Sequence, residues 1–420
     1  MTKEQEGLSI GGNMLWNTAG SVVGLGAQWL ISILIVRLSS GFDDAGAYSL
    51  AFSIFNIFAP IAVYRSDLYQ LSDVERRHTA GEYLSFRLIT CAATIVVIIG
   101  YSLVTCEWSM VPVVLSFALW KTSGLVISCL HTTDQVNHRM DFVGQSVALQ
   151  GVTSLLIFAV VFAASRNLVL TLLAMALAVG LIGGLLDMRR TSSLVELNLG
   201  ISKKLVFNLL KECLPIVVSG LIVAAVASIP RQYLSTVMGS SALGAYSSIA
   251  SPVAIVQSGI AFVYAPLIGY FSEAFQGVGS HSLKRLFVFS FVGIMFVGSA
   301  AVIGIVAVGP YLLQFMYGDS IEPYLYLIAP MTVSAVLLSV SYFLSDLLIA
   351  FKGHRLSLLM SIATFVAMLV ALVPIQDGFG LNAPTVCSIV TSLVSVVFCV
   401  IGIVLLIRTA GKEGISGSMR

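Results

Sequence analysis

The amino-acid sequence predicts an all-α polytopic membrane protein of about 12 transmembrane helices. Two observations carry that class. Of 420 residues, 58% are apolar and only 10% are charged, whereas a soluble domain carries about 25% charged residues. The apolar residues also fall in runs long enough to cross about 30 Å of hydrocarbon, which takes about 20 helical residues. These runs lack the alternation of a barrel strand and are too long for one. In lipid, only a helix satisfies its own backbone over such a length.

Taken in order, the runs predict spans at 13–36, 44–64, 84–105, 110–129, 142–163, 167–187, 206–228, 244–271, 285–308, 324–350, 356–375 and 385–407. The first follows Lys3, Glu4 and Glu6 and has no short apolar stretch ending in a small-residue cleavage site, so it is expected to be retained. The fourth carries Lys121 and the tenth carries Asp346, the only acid expected well inside the hydrocarbon. Pro215, Pro252, Pro266 and Pro330 fall within spans seven, eight and ten, where proline kinks a helix. Cys91, Cys106, Cys129, Cys213, Cys387 and Cys399 are scattered and match neither a disulfide framework nor a metal-ligand spacing.

Orientation follows from the 22 Lys and Arg residues. With the amino terminus in the cytoplasm, 18 of them fall on that side, Arg37, Arg166 and Arg231 fall outside, and Lys121 stays within a span. That bias predicts both termini inside. These basic residues read as loop anchors at the membrane surface, and the net charge of +2 gives no reason to expect a nucleic-acid partner.

An internal repeat divides the chain. Gly46-Ala47-Tyr48-Ser49 opens the second span and Gly244-Ala245-Tyr246-Ser247 opens the eighth, with Ser53 and Ser251 in the same register. Val63-Tyr64 corresponds to Val263-Tyr264, and Ser72-Asp73 to Ser272-Glu273, at nearly the same offset. Arg37 and Arg231 each follow the span that precedes their repeat. Two pseudo-symmetric six-helix lobes are expected, residues 1–200 and 201–420. Six is even, so both lobes enter the membrane in the same direction, and such parallel halves commonly enclose a central cavity.

The stretch Tyr64-Arg65-Ser66-Asp67-Leu68-Tyr69-Gln70-Leu71-Ser72-Asp73, followed by Tyr83 and Arg87, resembles the signature after the second helix of Wzx-type polysaccharide flippases. The run Asn137 to Ser146, with Arg139, Met140 and Asp141, and the run from Pro230-Arg231 to Ser247 are similar to that family as well. It belongs to the multidrug/oligosaccharidyl-lipid/polysaccharide superfamily, and the resemblance spans essentially the whole chain. It implies a flippase in the bacterial cytoplasmic (inner) membrane. The expected cargo is an undecaprenyl-diphosphate-linked oligosaccharide, the repeat unit of the O-antigen of lipopolysaccharide or of capsule, moved by alternating access. A polysaccharide polymerase is the expected protein partner, with H⁺ or Na⁺ as coupling ion.

A diphosphate carried through a low-dielectric path needs fixed cations. Lys121, beside Trp120 near the middle of its span, is the leading candidate; snorkelling to the helix end is the alternative. Arg65 and Arg87 are candidates to receive the diphosphate, unless they only anchor helix ends. Arg37 and Arg231 read as a cationic exit gate or as caps of their own helices. Asp346 is the candidate for ion coupling, with a salt bridge to Lys352 as the alternative. Phosphate-cradling Gly-rich loops, metal-ligand clusters, cofactor motifs and a large outer loop for catalysis are lacking. An enzyme is therefore not expected. The competing readings are a multidrug or cation antiporter of the same superfamily and a membrane-embedded polysaccharide polymerase or ligase.

Overall fold

The computed structural model describes residues 9–73, 77–275 and 282–417, and among these there are helices and turns but no strand. Twelve membrane-length helices follow one another: α1 Ile10–Leu38, α2 Asp43–Ser72, α3 Ala80–Thr105, α4 Val111–Val136, α5 Met140–Ser165, α6 Leu168–Ser192, α7 Lys203–Met238, α8 Ser240–Phe275, α9 Leu283–Tyr317, α10 Ile328–Ala350, α11 His354–Phe379 and α12 Ala383–Gly417. The last two follow one another without a loop, as continuous helical backbone over His354–Arg408. The 3₁₀ turn Gly380–Asn382, opened by Gly380 at φ 52°, separates them, and they pack against each other, so the chain reverses there. Of the basic residues used for orientation, Lys3, Arg76 and Arg420 lie outside the described residues, as does the side chain of Lys412.

Local chemistry sets the helix starts. Ser9 accepts the Gly12 amide at 3.2 Å, Asn167 accepts the Leu170 amide at 3.0 Å, and Thr79 with Glu82 forms a capping box at the head of α3. Pro112 opens α4, where its missing N–H costs nothing. One connection is shorter than hydropathy suggested. The expected outer segment 229–243 is helix up to Met238 and again from Ser240, with only Gly239 at φ 86° between them. Pro330 sits in the first turn of α10 and so does not kink it, whereas Pro252 lies within α8 and Pro266 in the 3₁₀ turn Ala265–Leu267.

The chain divides into two compact units, Met1–Ala224 and Ala225–Arg420, and the division falls inside α7. The same pairings recur in each: α2 packs on α3 and α4, α3 on α4, and α4 on α6, as α8 packs on α9 and α10, α9 on α10, and α10 on α12. The tyrosines of the repeated Gly-Ala-Tyr-Ser are both buried. Tyr48 meets Phe117 of α4 edge-on at 5.1 Å, and Tyr246 shares a hydrogen bond with Thr385 of α12 at 3.2 Å.

In the N-terminal unit, α1 lies against α5 along a seam of glycines. A Cβ on Gly20 would stand 2.3 Å from the Gly144 carbonyl oxygen, and one on Gly144 would stand 2.1 Å from that of Trp16. Any side chain there would push the helices apart, so close backbone approach in lipid requires glycine. This seam forms one wall of the candidate site.

Candidate functional site

The site begins with a polar stripe on α1. Asn13, Asn17, Ser21, Gly24 and Gln28 recur at three- and four-residue steps and therefore share one helix face. The first two line a cavity of about 620 Å³ together with Gln70, Gln135 and His138. Ser21, Gly24 and Gln28 line a second cavity of about 410 Å³, closed by Trp120 and Lys121 of α4 and Gln150 and Ser154 of α5. No carboxylate lines this second cavity. Lys121 is half-buried. Its Nζ donates to Gln28 Oε1 at 3.1 Å and stands 4.2 Å from the centre of the Trp120 ring and 5.7 Å from that of Phe117. An amide oxygen and two ring faces hold the ammonium without neutralising it, so its charge remains available to a ligand.

The stretch 64–73 acts as a latch. Tyr64 and Arg65, at φ 46° and 54°, break α2, and the short helix Ser66–Ser72 continues at a new angle. Arg65 is exposed, whereas Arg87 is wholly buried. The Arg87 guanidinium pairs with Asp67 and donates to Ser66 Oγ at 2.9 Å. Gln70 Nε2 donates to Thr133 Oγ1 at 2.9 Å, and Tyr83 Oη donates to Asp73 Oδ2 at 3.0 Å. Burial alone would raise the Asp73 pKa, but the amides of Arg77 and His78 and the Tyr83 hydroxyl outweigh it and hold the carboxyl below its ordinary value. In the second motif, Arg139 pairs with Asp141 at 2.8 Å, and this bond holds the guanidinium pKa above its ordinary value against the pull of burial. The Met140 amide donates to Asn13 Oδ1 at 2.9 Å, tying α5 to α1. Arg65 and Arg87, neighbours in the motif, thus stand in opposite environments.

Arg37 is exposed in the last turn of α1, where a cation complements the helix dipole. Arg231 lies within α7 rather than in a loop; it is half-buried, and its charge reaches Tyr246 and Tyr342. Asp346 of α10 is half-buried and hydrogen-bonded to Tyr264, the tyrosine that corresponds to Tyr64 in the repeat. Among the described residues Asp346 forms no ion pair with Lys352, which is exposed.

Asp346 is not the only acid inside the helices. Asp134 of α4 and Asp187 of α6 are both wholly buried, because α4 runs to Val136 and α6 to Ser192, past the ends that hydropathy assigned. The sequence held a signal: Asp134 follows His131 at i+3, on one helix face, and Asn137 ends that helix. The polar stripe of α1 was legible in the same way.

No protein-family model matches this chain. It is 24% identical over 300 residues to the capsular polysaccharide biosynthesis protein CapF of Staphylococcus aureus, a match covering 69% of this chain and 73% of that protein. In structure it is similar to a multidrug resistance MATE family transporter of the MOP superfamily in its inward-facing conformation, with TM-score 0.68 and 12% identity, over 94% of this chain and 96% of that one. It is also similar to the lipid II flippase MurJ in an inward closed conformation, with TM-score 0.69 and 9% identity, over 96% and 91% of the two chains. These likenesses show the fold, which this chain shares with that MATE family transporter and that lipid II flippase.

Proposed function

We propose that this chain, built on the MOP-superfamily fold, is a Wzx-type flippase. It moves undecaprenyl-diphosphate-linked oligosaccharide repeat units across the bacterial cytoplasmic membrane for surface polysaccharide, with both termini in the cytoplasm. The observation that carries this reading is Lys121, a cation that among the described residues has no carboxylate partner, in a cavity where Gln28, Gln150, Ser21 and Ser154 stand among apolar residues. Such a lining suits an anionic, hydroxyl-rich cargo: the ammonium meets the diphosphate, amides meet the sugars, and the lipid tail stays in the bilayer. A cavity of about 410 Å³ falls in the range of ordinary ligand sites. The likeness to a capsular polysaccharide biosynthesis protein and to a lipid II flippase supports the same cargo class. Arg65, exposed at the α2 break, is the candidate to receive the diphosphate first, and Arg37 and Arg231 are candidates for its exit.

The test is a set of Lys121 variants in a deletion strain, with membrane abundance and surface polysaccharide measured together. A charged hydrogen bond to phosphate is worth about 1.5–3 kcal/mol, so Lys121→Ala should lower flipping about tenfold to a hundredfold. Lys121→Arg should retain a substantial part, and Lys121→Glu should fall below Ala. Wild-type polysaccharide from Lys121→Ala at normal abundance would refute the reading. A second reading, a multidrug antiporter, has support in the aromatic rings around Phe117, with Tyr48 at 5.1 Å, Trp120 at 5.5 Å and Phe55 at 6.1 Å. It requires that deletion raise drug sensitivity while lipid-linked repeat units do not accumulate on the cytoplasmic leaflet.

A further inference from the structure

We propose that the cavity of about 620 Å³ bounded by Asn13, Asn17, Gln70 and Gln135 is a binding site for an uncharged saccharide, separate from the Lys121 cavity. It lies in the N-terminal unit at the end where α1 begins and α2 and α4 end, the cytoplasmic end in the proposed topology. For the source of the sugar, the oligosaccharide of the cargo, it rests on the flippase reading above.

Two sequence motifs that the Lys121 cavity does not use converge here. Gln70, Leu71 and Asp73 come from the stretch 64–73, and His138 and Met140 from the run 137–146. The α2 break at Tyr64 and Arg65 turns the short helix Ser66–Ser72 against α4, where Gln70 Nε2 donates to Thr133 Oγ1 at 2.9 Å. The single proton of the Thr133 hydroxyl goes to the Cys129 carbonyl at 3.4 Å, so Thr133 accepts from Gln70, and this fixes which end of the amide is the oxygen. That oxygen, Oε1, is buried without a hydrogen-bond partner among the described residues, on a side chain only 8% exposed. Leaving a buried acceptor unpaired is costly, and its presence calls for a partner.

The lining decides the ligand class. A carboxamide presents a donor and an acceptor side by side, the pattern that adjacent sugar hydroxyls return. Asn17 and Gln135, both exposed, carry two more such groups, and Asn13 Oδ1 is held by the Met140 amide at 2.9 Å. Leu71, Val136 and Met140 supply apolar surface for the C–H face of a sugar ring. Among the described lining residues there is no Lys or Arg. The one carboxylate, Asp73, already accepts from the Arg77 and His78 amides and the Tyr83 hydroxyl. An ionised ligand thus finds no fixed cation here, in contrast to the Lys121 cavity. From Asn17 to Gln28, the partner of Lys121, α1 rises about 16 Å, so a group held by Lys121 is out of reach of the Asn17 amide.

The experiment is saturation-transfer NMR on the full-length protein in phospholipid nanodiscs. The probes are free glucose, galactose, N-acetylglucosamine and N-acetylgalactosamine, with glucuronate as the charged comparison. At least one neutral sugar is expected to receive saturation. Gln70→Leu, which removes the unpaired acceptor, and Asn17→Ala should each weaken its binding about tenfold. Because Asn17 is exposed, its variant keeps the test decisive if Gln70→Leu does not fold. Inorganic pyrophosphate, the probe for the Lys121 cavity, should leave the sugar bound. No transfer to any neutral sugar, a signal unchanged in both variants, or displacement by pyrophosphate overturns the site. Glucuronate bound as tightly as the neutral sugars overturns the preference for an uncharged ligand. Translocation of a lipid-linked saccharide in vesicles separates the two readings. Sugar binding that depends on Gln70 and Asn17, in a protein that translocates nothing, marks failure of the flippase reading with the site intact. Lys121-dependent translocation by a protein that binds no free sugar marks failure of the site alone.

Discussion

Arg65 and Arg87, two arginines of one sequence motif, stand in opposite environments, the first exposed and the second buried. Arg87 is wholly buried on Asp67, whose side chain is 29% exposed. Removing one partner of such a pair strands the other, so Arg87→Ala should cost stability at the lower end of about 3–5 kcal/mol. Thermal unfolding in detergent would show it as lost folded protein before any loss of specific activity. Arg65 holds a left-handed conformation at φ 54° that L side chains pay about 1 kcal/mol to adopt. Arg65→Gly should therefore raise the unfolding temperature, and if Arg65 receives the diphosphate the same variant should flip less. A stabilised, fully active variant would remove Arg65 from the cargo path. At Asp346, Asn retains a hydrogen-bond partner for Tyr264, so Asp346→Asn should leave abundance unchanged; an unaltered gradient response would remove it from coupling.

At the scale of elements, the α2 to α3 connection is held by a charge-dependent latch. Asp73 gathers the amides of Arg77 and His78 and the Tyr83 hydroxyl, which depress its pKa in the folded state. A group whose folded pKa is depressed stabilises the fold above its unfolded pKa and loses that contribution as pH falls through the folded value. The connection should therefore be fully held above about pH 4 and loosen below it. Hydrogen exchange at residues 66–73 and 77–83 should rise on acidification in the wild type, and Asp73→Asn should show the higher exchange already at neutral pH. The seam of α1 and α5 makes a complementary case. With the Cβ of residue 144 falling 2.1 Å from the Trp16 carbonyl oxygen, Gly144→Val should separate the two helices and deform both cavities. Low membrane abundance would be the readout, and normal abundance with normal transport would mean that the seam is not required.

For the whole molecule, the positive-inside bias and the count of twelve helices stand or fall together, because one helix more or fewer would swap the side of every later loop. A reporter active only outside the cell should work when fused after Asp377, in the last turn of α11, and fail when fused after Gly411, within α12. The opposite pattern would refute the topology. The recurrence of the same helix pairings in Met1–Ala224 and Ala225–Arg420 is the structural counterpart of the Gly-Ala-Tyr-Ser repeat. Those four residues were visible as a repeat because their tyrosines pack in the interior of each unit, where substitution is costly.

Class and span number were legible because lipid imposes one rule on every residue of a crossing helix, and that rule is written in local composition. Lys121 was legible for a related reason: a charge in the middle of an apolar run has no cheap explanation. What the run could not reveal was its partner, since Gln28 lies on another helix and neither residue signals the other locally. The pairing of Arg87 with Asp67 and the meeting of His131, Asp134 and Asp187 were hidden in the same way. Hydropathy ended α4 and α6 where charges appeared, but a charge buried against other helices continues a helix as readily as an apolar residue does. Only the packing of α4, α5 and α6 decided that these polar groups face one another rather than water.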